Sequence, residues 1–395
     1  MNTTRRRFLS LSAASALGLA LARADDAPKL RVAVIGHTGR GNYGHGLDTM
    51  WLKVPGVELV AVADADAKGL AAAQQRLKLN AGFADYRQML AATRPDLVAI
   101  APRFVDQHRD MAMAAIEAGA RGIYIEKPFC RSLVEADEIV AACKDRKVRL
   151  AIAHRNRFHP VVPVVQRLVK EGAIGRLLEI RTRGKEDQRG GALDLWVLGS
   201  HVLNFVHYFA GAPKSCMATL LRDGRPVVRA DLLEGAEGVG PLAGNAVHAR
   251  FETESGVPAF FDSLANAGVR EANFGVQLIG TTGVIDLRID VEPLAHFLPG
   301  STFPISKEPR QWTPISSAGI GVPEPIADLG KRVSGHLLAA ADLIAAIRDD
   351  RPTLCSAEGG RVIVEMISAI FESHRLHGQR VTFPLATRIN PLTQL

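Results

Sequence analysis

The sequence predicts an α/β protein in which a parallel sheet precedes a second, mostly antiparallel sheet. Between about Leu30 and Ile152, short apolar runs alternate with amphipathic stretches such as AKGLAAAQQRLK. After about residue 177 the runs instead alternate apolar with polar residues. Continuous apolar runs are typical of parallel strands that helices cover on both faces, whereas alternation is typical of antiparallel strands with one wetter face.

Residues 1–24 are predicted to be a signal peptide of the twin-arginine (Tat) type. Arg5 and Arg6 precede an uncharged run of about 15 residues, and Ala22-Arg23-Ala24 is a small-x-small cleavage site. The run is shorter than the roughly 20 residues that a membrane-spanning helix needs. A basic N-terminus with an apolar helix, or an uncleaved anchor, is the alternative. A Tat signal implies the Tat machinery as a partner and export of a folded protein to the periplasm.

Composition excludes some classes of function. Loss of the four signal arginines lowers the basic residues from 48 to 44 against 41 acidic ones, so the net charge falls from +7 to +3. Such a balance gives no indication of a nucleic-acid partner. The cysteines lie far apart without a CxxC motif and are expected to be buried free thiols; they are Cys130, Cys143, Cys216 and Cys355. No cluster has the spacing of metal ligands, so no metal is expected.

The first domain, residues 29–154, is predicted to be a doubly wound Rossmann domain. Its strand candidates are LRVAVIG, VELVAVAD, DLVAIAP, GIYIEKP and VRLAIAH. Helical patterns connect them, and this order is typical of a dinucleotide-binding sheet. The remaining residues, 155–395, form a second α/β domain. Its alternating strand candidates are LLEIRTRG, CMATLLRD, AVHARFET, PAFFDSL, FGVQLIG and VIDLRID.

A glycine-rich stretch follows the first predicted strand. The GxGxxG spacing fits in two registers: one is Gly39, Gly41 and Gly44, and the other is Gly36, Thr38 and Gly41. The second is favoured because Gly36 ends the strand. Backbone N–H groups at the N-terminus of the following helix are expected to bind the pyrophosphate. The predicted cofactor residues of this stretch are Gly36, Thr38, Gly39, Arg40 and Gly41.

Asp64 ends the second strand, 23 residues beyond Gly41. An acid at this distance is expected to accept hydrogen bonds from the adenosine ribose. Its carboxylate would repel a 2′-phosphate, and Ala65 follows it, so NAD is favoured over NADP. NADP is not excluded.

The fifth strand ends in the sequence IYIEKPFC. Glu126 and Lys127 leave a buried strand at its carboxyl end, where ligands bind in open α/β sheets. Pro128 fixes the turn and can direct the ammonium of Lys127 into the cleft. The alternative is a surface lysine at a turn.

With these motifs in order, the chain resembles the glucose–fructose oxidoreductase, inositol dehydrogenase and rhizopine-catabolism (Gfo/Idh/MocA) family, over residues 30–386. The motifs that carry the resemblance are VAVIGHTGRG, APRFVDQH, EKP, NRFHP, EGAIGRL, GGALDLWVLGSHVLNF, VQLIGTTGVIDL, SAEGGRVIVEMISAIFES and RVTFP. The resemblance implies that the second domain has an open, mostly antiparallel sheet, which often forms contacts in homo-oligomers.

The resemblance also implies roles for individual residues. Lys127 is expected near the nicotinamide and the substrate hydroxyl, and Glu126 near the nicotinamide ribose. Pro102 is expected to line the nicotinamide side, and Asn156 lies in the linker motif between the domains. His201 is expected to be the catalytic acid/base.

One position departs from the family pattern. Members of the family usually carry an aspartate four residues before this histidine, and here that position is Val197; the family aspartate three residues after it is Asn204. Either Asp194 replaces the missing carboxylate, or His201 and Lys127 act without one.

The segment HVLNFVHYFAG is predicted to be a helix that His201 opens. The positive end of the helix dipole would then lower the pKa of His201 and keep it available as a base. The alternative is a core histidine satisfied by backbone groups. The preceding loop, with Lys185, Glu186, Asp187 and Arg189, either binds a polyol or is simply solvated.

Together these features predict an NAD(P)-dependent oxidoreductase that acts on a carbohydrate substrate. His201 would remove the hydroxyl proton, and Lys127 would support the developing alkoxide. An exported enzyme meets no NAD pool, so the cofactor is expected to be tightly bound. Two alternatives stay open: redox-neutral glycoside cleavage through a 3-keto intermediate, and a non-catalytic binding protein.

Overall fold

The computed structural model describes residues 28–267, 274–306 and 308–395. The predicted signal peptide lies outside the described residues. The strands of the first sheet are β1 (Leu30–Ile35), β2 (Val57–Ala63), β3 (Gly82–Phe83), β4 (Leu97–Ile100), β5 (Gly122–Ile125) and β6 (Arg149–Ile152). The sheet is parallel and has the strand order β3-β2-β1-β4-β5-β6. This order confirms the predicted Rossmann domain.

Four helices connect these strands after β2. They are α1 (Ala67–Leu77), α2 (Tyr86–Thr93), α3 (His108–Glu117) and α4 (Leu133–Arg146). Side chains cap three of them at their N-termini, because Asp66, Asp85 and Ser132 each accept a hydrogen bond from a backbone N–H of the first turn. Strands β1, β4, β5 and β6 are almost fully buried, as their continuous apolar sequences predict, whereas β3 and the first half of β2 are only partly buried.

The connection from β1 to β2 differs from the prediction. Residues 37–48, called the glycine-rich segment below, form consecutive turns and one isolated bridge, and a short 3-10 helix (Thr49–Lys53) follows. Gly39, Gly41, Asn42 and Gly44 all have positive φ angles. Right-handed helices need negative φ, so the expected α-helix N-terminus does not form beside Gly36.

The second sheet is larger and mostly antiparallel. Its strands are β7 (Leu177–Arg183), β8 (Pro213–Arg222), β9 (Arg225–Pro226), β12 (Ala246–Thr253), β13 (Ala259–Leu264), β14 (Gly275–Gly280), β15 (Gly283–Arg288), β16 (Ala295–Pro299), β17 (Thr313–Ser316), β18 (Gly319–Ile320) and β19 (Val381–Thr382). A separate hairpin joins β10 (Leu233–Gly235) to β11 (Gly240–Leu242). The order is β18-β17-β16-β15-β14-β7-β13-β12-β8-β19, with β9 paired to β8. All its pairs are antiparallel except β7 with β13, which confirms the prediction.

Helices of the second half pack on both sheets. They are α5 (Val161–Lys170), α6 (Ala192–Asp194), α7 (Ser200–Ala210), α8 (Leu329–Ser334), α9 (Leu337–Arg348) and α10 (Ala357–Arg375). Helix α9 returns to β5 and β6 of the first sheet, and α10 contacts α4 on one side and β8 on the other. One connected cluster of buried apolar side chains therefore runs from Leu30 to Leu392.

All four cysteines are buried and free, as predicted; they are Cys130, Cys143, Cys216 and Cys355. Burial raises the pKa of the Cys143 and Cys355 thiols to about 12. Among the described residues, no helix combines the length and the apolar character that crossing a membrane requires.

Candidate active site

The candidate site lies at the carboxyl edge of the first sheet. Gly36 follows β1, Asp64 follows β2, Glu126 and Lys127 follow β5, and His154 follows β6. Parallel strands present these ends at one edge, so the topology alone brings the five residues to the same side of the molecule.

Lys127 joins the two domains. Its side chain is buried, and its ammonium donates a hydrogen bond to the backbone carbonyl of Val197 at 3.0 Å. The Lys127–Pro128 peptide bond is cis. Val197 stands at the position where the Gfo/Idh/MocA family usually has an aspartate. In place of a carboxylate side chain, the main-chain carbonyl of Val197 accepts the hydrogen bond from Lys127.

A π-helical turn produces this geometry. Residues 192–210 form one helical run, in which Leu195–Gly199 is a π turn between α6 and α7. A π turn shifts the hydrogen-bonding register of a helix and is frequent at functional sites. Here it presents the Val197 carbonyl to Lys127 from within the run.

This helical run corrects the expectation for His201. The helix begins at Ala192, nine residues before His201, so the histidine does not lie at a free helix N-terminus. The pKa of His201 is nevertheless well below its ordinary value, because of burial first and then the neighbouring His154 and the charge of Lys127. The imidazole is neutral, as expected, but the physical cause is different.

His154 is a site residue that the sequence reasoning missed. Its ring lies edge-to-face with that of His201, with the centroids 5.0 Å apart. Burial and the positive charge of Lys127 lower the pKa of His154 to about 3. The signal was its place at the end of VRLAIAH, the same strand-end position that identifies Asp64 and Glu126.

Buried polar atoms without a protein partner cluster around these groups. Within the described residues, no hydrogen bond reaches the Nδ1 atoms of His154 and His201, the hydroxyl of Ser200 or the side-chain oxygen of Asn204. Buried polar atoms normally have partners, so such a group is suited to a ligand rich in hydroxyls.

Glu126 is a fully buried carboxylate. Its side chain accepts hydrogen bonds from the backbone N–H of Lys127, from the backbone N–H of His45 and from the imidazole of His45. Burial opposes ionisation, but the bond from His45 and the charge of Lys127 lower the pKa of Glu126 to about 2. The glutamate is therefore ionised and is held against the glycine-rich segment.

Asp64 is also enclosed by the protein. Its carboxylate accepts hydrogen bonds from the backbone N–H and hydroxyl of Thr38, from the backbone N–H of Asp66 and from the hydroxyl of Tyr43. Burial would raise the pKa of Asp64, but these bonds lower it below its ordinary value. Thr38, which was expected to face the pyrophosphate, thus faces Asp64.

Arg40 and Pro102 have partners of their own. Arg40 forms an ion pair with Asp106 and lies over the ring of Phe104, 5.0 Å from its centroid. The buried His108 lies between the carbonyls of Pro102 and Pro128, at 2.7 and 2.9 Å. The imidazole thereby fixes the loops after β4 and β5 relative to each other.

Asn156 binds across the domain junction. Its amide donates to the carboxylate of Asp290 at 2.7 Å, and its oxygen accepts from the Asp290 backbone N–H. Arg155 forms an ion pair with the same carboxylate. Asn156 therefore holds the second domain on the first, and both ends of its side-chain amide are engaged by Asp290.

Of the two alternatives for the aspartate missing at Val197, the contacts of Asp194 do not favour its replacement by Asp194. The carboxylate of Asp194 is completely buried and accepts from the Ser263 hydroxyl at 2.6 Å and from the backbone N–H groups of Lys185 and Glu186. These donors hold the loop 184–191 in place. Asp187 and Arg189 of this loop pair with each other.

The dinucleotide fits the chemistry of this edge. Gly36 ends β1 at the position of the first glycine of the Rossmann pattern, and a Cβ there would lie 2.2 Å from the Tyr43 ring, so the packing of Tyr43 requires glycine at this position. Asp64 and Glu126 are carboxylates of lowered pKa at the ends of β2 and β5, and both are hydrogen-bonded by the glycine-rich segment. Lys127, His154 and His201 form a second group of neighbouring polar side chains at this edge.

Comparison with known proteins relates the first domain to NAD-binding oxidoreductases. Residues 30–154 match GFO_IDH_MocA, the oxidoreductase family with an NAD-binding Rossmann fold. D-apiose dehydrogenase from Paraburkholderia graminis is 36% identical over 125 residues, which are 32% of this chain and 33% of that protein. Levoglucosan dehydrogenase from Pseudarthrobacter phenanthrenivorans is 27% identical over 250 residues, which are 57% of this chain and 63% of that protein.

The chain thus spans less than two thirds of the length of these curated relatives. The likeness in fold extends further. The structure of levoglucosan dehydrogenase in complex with NADH and levoglucosan superposes with a TM-score of 0.72 at 22% identity, covering 90% of this chain and 100% of that one. An oxidoreductase from Agrobacterium radiobacter gives a TM-score of 0.66 at 18% identity, covering 90% and 98%.

Proposed function

From the premise that residues 30–154 match the GFO_IDH_MocA oxidoreductases with an NAD-binding Rossmann fold, we propose that the chain is an NAD-dependent sugar oxidoreductase. Its substrate would be a secondary hydroxyl of a sugar, polyol or glycoside. The names of its relatives support this class, because both D-apiose dehydrogenase and levoglucosan dehydrogenase act on sugars.

One observation carries the proposal: the buried ammonium of Lys127, from the first domain, lies close enough to the buried imidazole of His201, from the second, for its charge to help lower the pKa of that imidazole. Lys127 leaves the first sheet and bonds to the Val197 carbonyl, four residues before His201. A general base must be unprotonated at working pH, and the lowered pKa of His201 meets this condition.

The residues of the cluster divide the chemistry between them. An imidazole nitrogen of His201 takes the proton of the substrate hydroxyl. Lys127 stabilises the negative charge that develops on the same oxygen. NAD, when bound, supplies the acceptor for the hydride that leaves the carbon bearing this hydroxyl. Ser200, Asn204 and His154 are available to orient the other hydroxyls.

The cofactor is proposed to be NAD rather than NADP, and to be tightly held. A buried carboxylate at Asp64 repels a 2′-phosphate. Glu126 is ionised and accepts hydrogen bonds from the backbone N–H groups of His45 and Lys127. We propose that it also accepts a hydrogen bond from the nicotinamide ribose.

Lys127→Ala and His201→Ala test the assignment. Both variants are expected to fold and to bind NAD, but to reduce it about 10²–10⁴-fold more slowly in single turnovers with levoglucosan, D-apiose and a panel of polyols, followed at 340 nm. His207→Ala is the matched control, because His207 lies on the same helix α7 outside the cluster. Equal rates in His201→Ala and His207→Ala would contradict the proposal. No absorbance change with any sugar would favour a binding protein.

A second candidate is redox-neutral glycoside cleavage through a 3-keto intermediate. The presence of two neutral histidines favours it, because this route needs one base for the hydroxyl and another for the acidified C–H. The test is release of nitrophenol from a nitrophenyl glycoside without net NADH. Release that His154→Asn abolishes would favour cleavage over oxidation.

Residues 1–24 are proposed to direct the folded protein to the periplasm through the Tat machinery. The arginine pair and the Ala-x-Ala end support this. Arg5→Lys together with Arg6→Lys should leave the precursor in the cytoplasm, and normal periplasmic levels of the double variant would contradict the assignment. A homo-oligomer is proposed through the open sheet, and light scattering after gel filtration would give its mass.

A further inference from the structure

The acceptor capacity of Asp64 is completely used within the protein. A carboxylate offers about four lone-pair sites. Four groups donate to Asp64: the Thr38 N–H, the Asp66 N–H, the Thr38 hydroxyl at 2.7 Å and the Tyr43 hydroxyl at 2.9 Å. The residue is 1% exposed. Ribose hydroxyls can bind this carboxylate only if two of these donors leave it.

Two of the four donors are themselves hydroxyls. The backbone N–H groups of Thr38 and Asp66 are fixed by the turns at the ends of β1 and β2. The hydroxyls of Thr38 and Tyr43 are at the ends of side chains, and like the 2′- and 3′-hydroxyls of a ribose they are O–H donors to a carboxylate. In the Rossmann pattern a ribose donates to the carboxylate at this position, so these two hydroxyls use the acceptor sites that a ribose would use.

Tyr43 is held in this position from both sides. Its ring packs directly on Gly36, since a Cβ there would lie 2.2 Å from it. The guanidinium of Arg76 covers the ring at 4.8 Å from the centroid, and Arg76 is itself bound to Asp48. The aromatic side chain therefore fills the space above the first glycine of the nucleotide-binding loop.

The glycine-rich segment is also attached at its other end. His45 donates to Glu126, and Gly44 approaches the Ala101 carbonyl and the Glu126 side chain so closely that a Cβ would lie 2.6 Å from each. The segment thus binds both carboxylates that the cofactor is proposed to use.

We propose that Tyr43 sets the affinity and the binding rate of the dinucleotide by standing in for a ribose hydroxyl on Asp64. Binding requires the Tyr43 hydroxyl to leave the carboxylate and the ring to leave Gly36. This inference rests on the proposed function only through NAD binding, and it is independent of the substrate and of the hydride transfer.

Tyr43→Phe removes the competing hydroxyl. The variant is expected to bind NADH about tenfold more tightly than the wild type, since a hydrogen bond to a charged group contributes a factor of at least this order. The measurement is NADH fluorescence titration without sugar. Tyr86→Phe is the matched control, because the guanidinium of Arg87 likewise covers the Tyr86 ring, at 4.5 Å, while the Tyr86 hydroxyl is not one of the four donors to Asp64. Unchanged or weaker binding in Tyr43→Phe would overturn the proposal.

Stopped-flow mixing of the wild-type protein with NADH gives a second test, which needs no variant. If Tyr43 must leave first, the observed rate of NADH binding levels off at high NADH concentration. A rate that rises linearly throughout would overturn the proposal. Absence of NADH binding in every variant would overturn it together with the cofactor assignment, whereas normal binding without sugar oxidation would overturn only the proposed function.

Discussion

Burial of His154 makes the stability of the protein sensitive to acid. Its pKa is about 3 when folded, against about 6.5 in an unfolded chain. Below about pH 6.5 the imidazole of His154 binds a proton in the unfolded chain but stays unprotonated in the folded protein. The free energy of unfolding therefore falls as the pH decreases from about 7 towards 3, by about 1.4 kcal/mol per pH unit for each such histidine.

His154→Asn is expected to reduce this slope by about 1.4 kcal/mol per pH unit between pH 6 and pH 4. Urea unfolding at pH 6, 5 and 4 measures it. His248→Asn is the control, because His248 lies half-exposed on the second sheet beside Asp262. Identical slopes in the wild type and both variants would show that His154 protonates freely in the folded protein.

Substitution of Asp194 distinguishes a structural role of its buried carboxylate, in holding the loop 184–191, from a role in catalysis. Asp194→Asn weakens the bonds to Ser263 and to two backbone N–H groups, so the free energy of unfolding should fall by about 1–3 kcal/mol. Turnover per folded molecule should stay within a few-fold of the wild type. Asp187→Asn, on the same loop, should cost less because it is partly exposed. A loss of turnover of about 10²-fold without a loss of stability would return Asp194 to the catalytic set.

At the level of residues, strand ends were predictable and contacts made by turns were not. Lys127, Glu126 and Asp64 follow directly from their places after apolar runs. The Tyr43–Asp64 bond depends on the path of the glycine-rich segment, which has no hydrophobic period to follow. Asp194 lies near His201 in sequence, but its neighbour Ser263 is 69 residues away, so sequence distance was misleading there.

Among the elements, the π turn at Leu195–Gly199 carries a prediction of its own. Deletion of Leu198 should convert the turn to regular α-helix and rotate His201 by about 100° relative to the residues before it, because each residue turns an α-helix by this angle. We expect a folded protein that binds NADH and transfers hydride at least about 10²-fold more slowly. Leu198→Ala, which keeps the length, is the control. Equal activity in the deletion variant would show that the turn does not position the cluster.

The glycine-rich segment explains why one predicted element failed. The Rossmann pattern requires a helix after β1, and the sequence supplies glycines in both registers. Positive φ at Gly39, Gly41, Asn42, Gly44 and Gly46 is incompatible with a right-handed helix. The number of glycines was visible in the sequence, but the φ angles follow from where Tyr43 and His45 bind.

Across the whole molecule, α10 joins two sheets that the sequence presents as separate domains. It contacts α4 of the first and β8 of the second, and the Cys355 carbonyl before it accepts from the backbone N–H of Ile152 in β6 at 2.9 Å. Periodicity identified the buried faces of these helices but not the surfaces they cover. The doubly wound class of the first sheet was therefore predictable, whereas the return of α9 and α10 to this sheet was not.

This coupling predicts that the first domain does not fold alone. A fragment of residues 28–154 lacks α9 and α10 and exposes the sheet face that they cover, so it should lack a cooperative thermal transition and bind a hydrophobic dye. A chain of residues 28–395 should unfold in a single calorimetric transition. A fragment that melts cooperatively and binds NADH would show that the domains are independent.

The reaction rates of the four buried cysteines can report where and how often the structure opens. Cys130 and Cys143 belong to the first domain, Cys216 to β8, and Cys355 to the connection before α10. Only a thiolate attacks a disulfide reagent, and buried thiols with raised pKa react only after the structure around them opens. If α10 makes the two sheets one cooperative unit, mass spectrometry of protein treated with such a reagent will find all four positions modified at one common rate. Four different rates would instead show which parts of the chain open independently, and the native cysteines make an engineered probe unnecessary.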